Sequence, residues 1–96
     1  MARITEAEIA DIVETILRER PNREASIGQL IDEIPNRITL SREDLAQSPT
    51  RPTELIWYQQ VRNITSHQGS PGNAIHDGKL TAVPGGLALA GKATVA

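Results

Sequence analysis

Gln59, Arg62, Asn63 and Ser66, with Gln60 and His67 beside them, are the side chains of this sequence best suited to recognising a partner by hydrogen bonding. Arginine can donate two parallel bonds to guanine, and glutamine or asparagine can pair bidentately with adenine. Serine serves a base or a phosphate. Their spacing brings them together. Trp57, Val61 and Ile64 fall at i, i+4 and i+7, one stripe of a helix. Stepping roughly 100° per residue from that stripe carries Gln59, Arg62 and Ser66 to the far side. Asn63 lies on the shoulder of that face, and Gln60 and His67 lie towards its edge. A solvated helix face has a similar composition, so the surroundings must decide between the two readings. Glu54 is the only carboxylate between Arg51 and His67. It is expected in the first helical turn, where the helix dipole favours an anion.

Catalytic sets are present only as fragments. His67 and the pair His76-Asp77 lack a third histidine or a cysteine to complete a metal site. Asp77-Gly78-Lys79 resembles the end of a nuclease carboxylate-x-lysine motif, but the preceding acid is absent, so it reads as a turn. Ser66 and His67 are consecutive on a helix and point in different directions, wrong for a nucleophile and its base. Gly85-Gly86 precedes no helix start and is a hairpin turn rather than a phosphate cradle. No catalytic activity, metal or cofactor is therefore expected of this chain.

Length and charge narrow the classes further. The 96 residues suffice for one domain with a modest aliphatic core, since phenylalanine is absent and tryptophan occurs once. There is no cysteine, which excludes disulfides and thiolate sites and suits a cytoplasmic location. No apolar run reaches membrane-spanning length, and the N-terminus lacks a signal-peptide layout. The net charge of −2 is unevenly spread. Residues 1–44 carry −4 and residues 45–96 carry +2, an acidic scaffold half and a mildly basic working half.

The elements that position the polar face can be read in order. Ile4-Thr5-Glu6-Ala7-Glu8-Ile9 is a helix start, with Thr5 as N-cap, Glu8 completing a capping box and Ile4 stapling onto Ile9. Ile9, Ile12, Val13, Ile16 and Leu17 give the inward stripe, and Pro21 ends the helix. Ala25-Ser26-Ile27 is either a very short strand or a lead into a second helix over 27–34, capped by Ser26 and ended by Pro35-Asn36. Ile38-Thr39-Leu40 is extended. Ser41 and Asp44 cap a short helical turn over 42–47. Ser48-Pro49-Thr50-Arg51-Pro52 is a rigid connector, and Pro52 belongs in the first turn of a long helix over about 52–67. Gln68 to Asn73 is turn-rich loop, and Asp77-Gly78 marks a further turn. Lys79-Leu80-Thr81-Ala82-Val83 and Leu87-Ala88-Leu89-Ala90 flank Pro84-Gly85-Gly86 as a β-hairpin. Residues 92–96 read as a disordered tail or the start of a linker.

Three helices followed by a Pro-Gly-Gly hairpin predict an α+β, mostly α fold, a winged helix-turn-helix occupying residues 1–91. One helix would enter the major groove of double-stranded DNA, and the hairpin wing over about 75–90 would touch the flanking backbone. Lys79, Thr81 and His76 are the wing residues able to meet phosphate, and the loop from Gly69 to Asn73 offers backbone N–H groups. The expected DNA-contact set is Arg51, Gln59, Gln60, Arg62, Asn63, Ser66, His67 and Lys79. The competing reading is a protein-interaction module or homodimer anchored by Leu55, Ile56 and Tyr58.

Ser48-Pro49-Thr50-Arg51-Pro52, Trp57 to His67, Gly72 to Gly78 and Val83 to Leu87 resemble winged-helix domains attached to restriction systems, the Mrr-type N-terminal domain and its nuclease-fused relatives. Ala25 to Leu30 is similar to the second helix of those domains. The resemblance implies that the tryptophan-containing helix is the recognition helix, so that Gln59, Gln60, Arg62, Asn63, Ser66 and His67 read DNA. It implies a target-recognition module, with strand cleavage left to a nuclease domain in the same or another chain. Leu87 stands where an aromatic or basic residue is usual after the wing's Pro-Gly-Gly, and a weaker backbone contact is expected there.

Overall fold

The computed structural model describes residues 4–51 and 54–90. In chain order these form α1 (Glu6–Glu19), β1 (Glu24–Ser26), α2 (Ile27–Glu33) with a 3-10 turn over Ile34–Asn36, α3 (Tyr58–Ser66), β2 (Leu80–Val83) and β3 (Gly86–Leu89). The described residues thus make a small α+β domain with three α-helices and one three-stranded antiparallel sheet of order β1-β3-β2. The expected positions of Pro52 and of the tail 92–96 lie outside the described residues.

α1 begins as its sequence dictates. The Thr5 side chain accepts from the Glu8 N–H at 3.1 Å, and the Glu8 carboxylate accepts from the Thr5 N–H at 2.9 Å. Ile9, Val13, Ile16 and Leu17 are fully or almost fully buried, while Asp11 and Thr15 face out. Residues 24–27 are both of the things their sequence allowed. Ala25 pairs with Leu87 in the sheet, and Ser26 closes a second capping box with Gln29 at the start of α2. α2 is short and ends at Glu33, just before Pro35 as expected, and a 3-10 turn over Ile34–Asn36 follows it.

The hairpin forms with Pro84-Gly85 as a two-residue turn, because Val83 and Gly86 are already a paired position. Gly85 takes φ 72, the left-handed region that the second turn position requires after proline. Gly86 is needed for a different reason: a Cβ there would lie 2.1 Å from the Ala25 carbonyl oxygen, a close approach of two backbones. Leu87 is fully buried, so its apolar side chain belongs to the core and not to the wing surface.

The core joins α1 to Leu30, Ile34, Trp57, Val61, Ile64, Leu80 and Leu87. Trp57 is 2% exposed and meets Tyr58 edge to face, with ring centroids 5.0 Å apart. Its indole N–H has no hydrogen-bond partner among the described residues.

The turn capped by Ser41 and Asp44 forms as expected but is shorter: Leu45 N donates to Ser41 O at 3.1 Å, and the turn spans 42–45 rather than 42–47. One expectation is corrected, because α3 starts at Tyr58 and not near residue 52. The reason is a pairing between distant segments. Ile56 N donates to Ala46 O at 2.8 Å, Trp57 N to Asp44 O at 3.2 Å, and Ser48 N to Glu54 O at 2.8 Å. Gln47 and Leu55 form an antiparallel bridge. These bonds take the backbone groups that a longer helix would have used internally. Asp44, 3% exposed, anchors the arrangement: its carboxylate accepts from Ile4 N at 2.9 Å as well as from Ser41.

Candidate nucleic-acid interface

Val61 and Ile64 fix the rotation of α3 by burying its inner stripe, which leaves Gln59 and Ser66 exposed and Gln60, Arg62, Asn63 and Thr65 half-buried. An open groove on the outer side is lined by Thr50, Arg51, Gln59, Arg62, Asn63 and Ser66. A second groove continues across the helix, where Arg62, Thr65 and Ser66 meet Ile27, Val83 and Gly85. Arg62 and Ser66 form the ridge between them. The hairpin turn is fastened at this point, because Ile27 N donates to Gly85 O at 2.9 Å. The start of α2, the tip of the hairpin and the outer face of α3 therefore share one surface.

Several of these side chains are held in place. Arg62 is clasped end-on by Glu54: Nη1 donates to Oε1 at 2.7 Å, and Nη2 donates to Oε2. Glu54 is not in a first helical turn, as its sequence position suggested. It precedes α3, where its backbone N–H donates to Arg51 O at 2.9 Å. Asn63 Nδ2 lies 3.3 Å from Gln60 Oε1, an arrangement that steadies both amides. Arg51 follows a turn in which the Ser48 hydroxyl accepts from the N–H groups of Thr50 and Arg51.

Of the residues singled out from the sequence, Arg51, Gln59, Arg62, Asn63 and Ser66 are brought together, with Gln60 at their shoulder. His67 and Lys79 stand elsewhere. His67 Nδ1 lies 2.7 Å from Glu6 Oε1, so its ring ties the end of α3 to the start of α1. Lys79 precedes β2 at the open end of the hairpin and flanks Glu6, Asp11 and Glu14 on the acidic side of α1. His76 is at the same end, with Nδ1 3.1 Å from Asp77 Oδ1. That contact, with the Gly72 N–H, holds the Asp77 carboxyl below the usual carboxylate range. The hairpin meets α3 through Val83, Gly85 and Gly86, so its contact chemistry there is backbone and small apolar surface. Leu55, Ile56 and Tyr58 are half-buried rather than freely exposed, and Leu55 and Tyr58 pack against the core.

Sequence reasoning missed Glu54 as the partner of Arg62 and Asn73 as an anchor. Asn73, 4% exposed, donates to the Ile64 carbonyl and to Glu6 at 2.9 Å each, and accepts from Ile75 N and His76 N. The only local clue to Glu54 was its solitude as an acid in that stretch. Asn73 carried no clue, because a polar residue among Gly, Ser and Pro reads as solvated loop.

Among the described residues no three His, Asp or Glu converge as a metal-binding group. Nor is any described helix long and apolar enough to cross a membrane. Compared with known proteins, the chain matches no family model, no curated protein and no solved structure.

Proposed function

We propose that this chain is a winged-helix domain that binds double-stranded DNA, with α3 in the major groove and the β2–β3 turn against the adjoining backbone. One observation carries the reading: the hairpin tip and the polar face of α3 lie side by side on one surface, joined through Gly85, Arg62 and Ser66. The order α1-β1-α2-α3-β2-β3 with sheet order β1-β3-β2 supports it, because this order follows a helical pair with a wing. Size agrees as well. A helix about 10–12 Å across fits a major groove about 12 Å wide. The groove that holds Arg51 is lined by no carboxylate, and Glu54 beside it is paired with Arg62. Such a domain serves as the target-recognition part of a DNA-processing system, with a nuclease as its partner and cleavage performed there.

Fluorescence anisotropy with a labelled random-sequence duplex tests this. Few cations face the groove, so log affinity should fall with log salt at a shallow slope, roughly −1 to −3. Arg51→Ala should reduce that slope by about one. Absence of binding at low salt by a folded sample would contradict the proposal.

A protein-interaction module is the second reading, favoured by Leu45, which is 48% exposed. It lies next to Asp44, which borders a groove lined by Ile4, Ile12, Ile38 and Leu40. A homodimer in light scattering that Leu45→Ser dissolves, together with no duplex binding, would replace the first reading with the second.

A further inference from the structure

We propose that Glu54 is a positioning residue that presents Arg62 to a guanine, so that the bound duplex carries a guanine at the position facing Arg62. This rests on the DNA reading above and adds which base is recognised and by which edge of which side chain.

The geometry of the clasp is the starting point. The Glu54 carboxylate occupies the terminal edge of the guanidinium, taking one proton from each Nη. A guanidinium is a planar fork of five N–H donors. Its lateral edge, Nε–H with the second Nη2 proton, is still a parallel pair of donors, the pattern that meets guanine O6 and N7. Arg62 borders both grooves that flank the α3 ridge, so the clasp does not seal the side chain away from a ligand. The Arg62 side chain keeps 34% of its surface exposed, against 22% for Glu54, and the acid lies deeper than the base it holds.

Glu54 can act as a fixed point because its own backbone is fixed. Its carbonyl accepts from Ser48 N and its N–H donates to Arg51 O, and Leu55 beside it bridges to Gln47. An unclasped arginine loses much rotamer freedom when it is immobilised on a base, whereas a clasped one has lost part of it before binding. Charge points the same way. The Glu54–Arg62 pair is neutral as a unit and is poorly suited to attracting phosphate, which leaves that task to Arg51. A bidentate lateral edge on a neutral pair is suited to reading a base.

The same clasp could merely brace residues 54–57 against α3, and the test must separate bracing from reading. Random-sequence duplexes are selected for binding to the wild-type chain, and each guanine of the enriched sequence is replaced in turn by 7-deazaguanine, which lacks N7. At one position the replacement should weaken wild-type binding roughly tenfold. Glu54→Gln and Glu54→Asp should reduce that ratio to below about threefold, whatever their overall affinity, and melting curves are recorded for both. The ratio is the readout because loss of a brace lowers stability without changing the preference between two forms of one base. Full discrimination in both variants would reduce Glu54 to a brace and overturn the proposal. An enriched sequence without a sensitive guanine would overturn it too, while leaving DNA binding standing. Failure of the wild type to bind any duplex would instead strike the DNA reading itself.

Discussion

Replacing Asn73 should loosen the domain more than any change of comparable size on its surface. Asn73→Ala removes two accepted and two donated bonds from a side chain that is 4% exposed. The Ile64 carbonyl is one of the terminal acceptors of α3, and the N–H groups of Ile75 and His76 open the next turn. With about 1 kcal/mol for each protein-internal bond, and more where the abandoned group stays buried, the loss is about 2–4 kcal/mol. In a domain of about this size that lowers Tm by roughly 10–20 °C. Asn73→Asp separates the causes. It keeps both acceptor contacts but turns the donors towards Glu6 Oε2 and the Ile64 carbonyl into lone pairs, with a second carboxylate where a 2.9 Å hydrogen bond had been. At neutral pH it should melt no higher than Asn73→Ala. Its deficit relative to wild type should shrink as the pH falls from neutral towards about 4, the value of an unfolded carboxyl, because a shared proton restores a donor. Thermal melts by circular dichroism at both pH values are the assay. A neutral-pH Asn73→Asp that melts within a few degrees of wild type would refute the anchoring role.

Other expectations are local. Gly86→Ala should cost about 3 kcal/mol or more in denaturant unfolding, because the added carbon meets the rigid Ala25 backbone; a loss below about 1 kcal/mol would mean that β1 shifts freely. Arg23 holds φ 59 without being glycine, so Arg23→Gly should relieve about 1 kcal/mol of backbone strain and raise Tm in a thermal melt; an unchanged or lower Tm would mean that its side-chain contact to the Arg18 carbonyl outweighs the strain. Glu19 and Glu33 have pKa values lowered mainly by hydrogen bonds from Arg37. A carboxyl depressed in the folded state contributes stability above its unfolded value of 4.5 and loses it as the pH falls through the folded value. Arg37→Ala should therefore flatten the acid limb of the stability profile below about pH 4.5, and an unchanged limb would remove the network from the acid response.

Local chemistry was legible in the sequence, and long-range pairing was not. The Thr5-x-x-Glu8 box and the Pro84-Gly85 turn are short-range devices, and both form as their residues dictate. β1 is three residues whose partners lie beyond residue 85, so nothing nearby in the chain distinguishes a strand from a lead-in. The start of α3 misled for a related reason. Residues 52–55 carry a good helix entry by local rules, yet Ala46 and Asp44 capture the N–H groups of Ile56 and Trp57. The inner face of α3 followed from its period, and with it the directions of Gln59 and Ser66. The Glu54–Arg62 clasp spans eight positions, longer than any helix-neighbour rule, and exists only because the chain turns before Tyr58. Lys79 looked like part of the wing because it is near in sequence. The strand it precedes runs away from it towards the tip, which places it beside the acids of α1.

The most direct test of the DNA reading is a map of backbone amide shifts as a short duplex is titrated into the labelled chain. Binding through α3 and the hairpin tip should move Arg51, Gln59, Arg62, Asn63, Ser66 and Gly85 together, while Asp11 and Glu14 of α1 stay still. Shifts centred on α1, or on Leu45 and the groove beside it, would contradict that placement of the interface, and a spectrum unmoved at low salt would contradict DNA binding altogether.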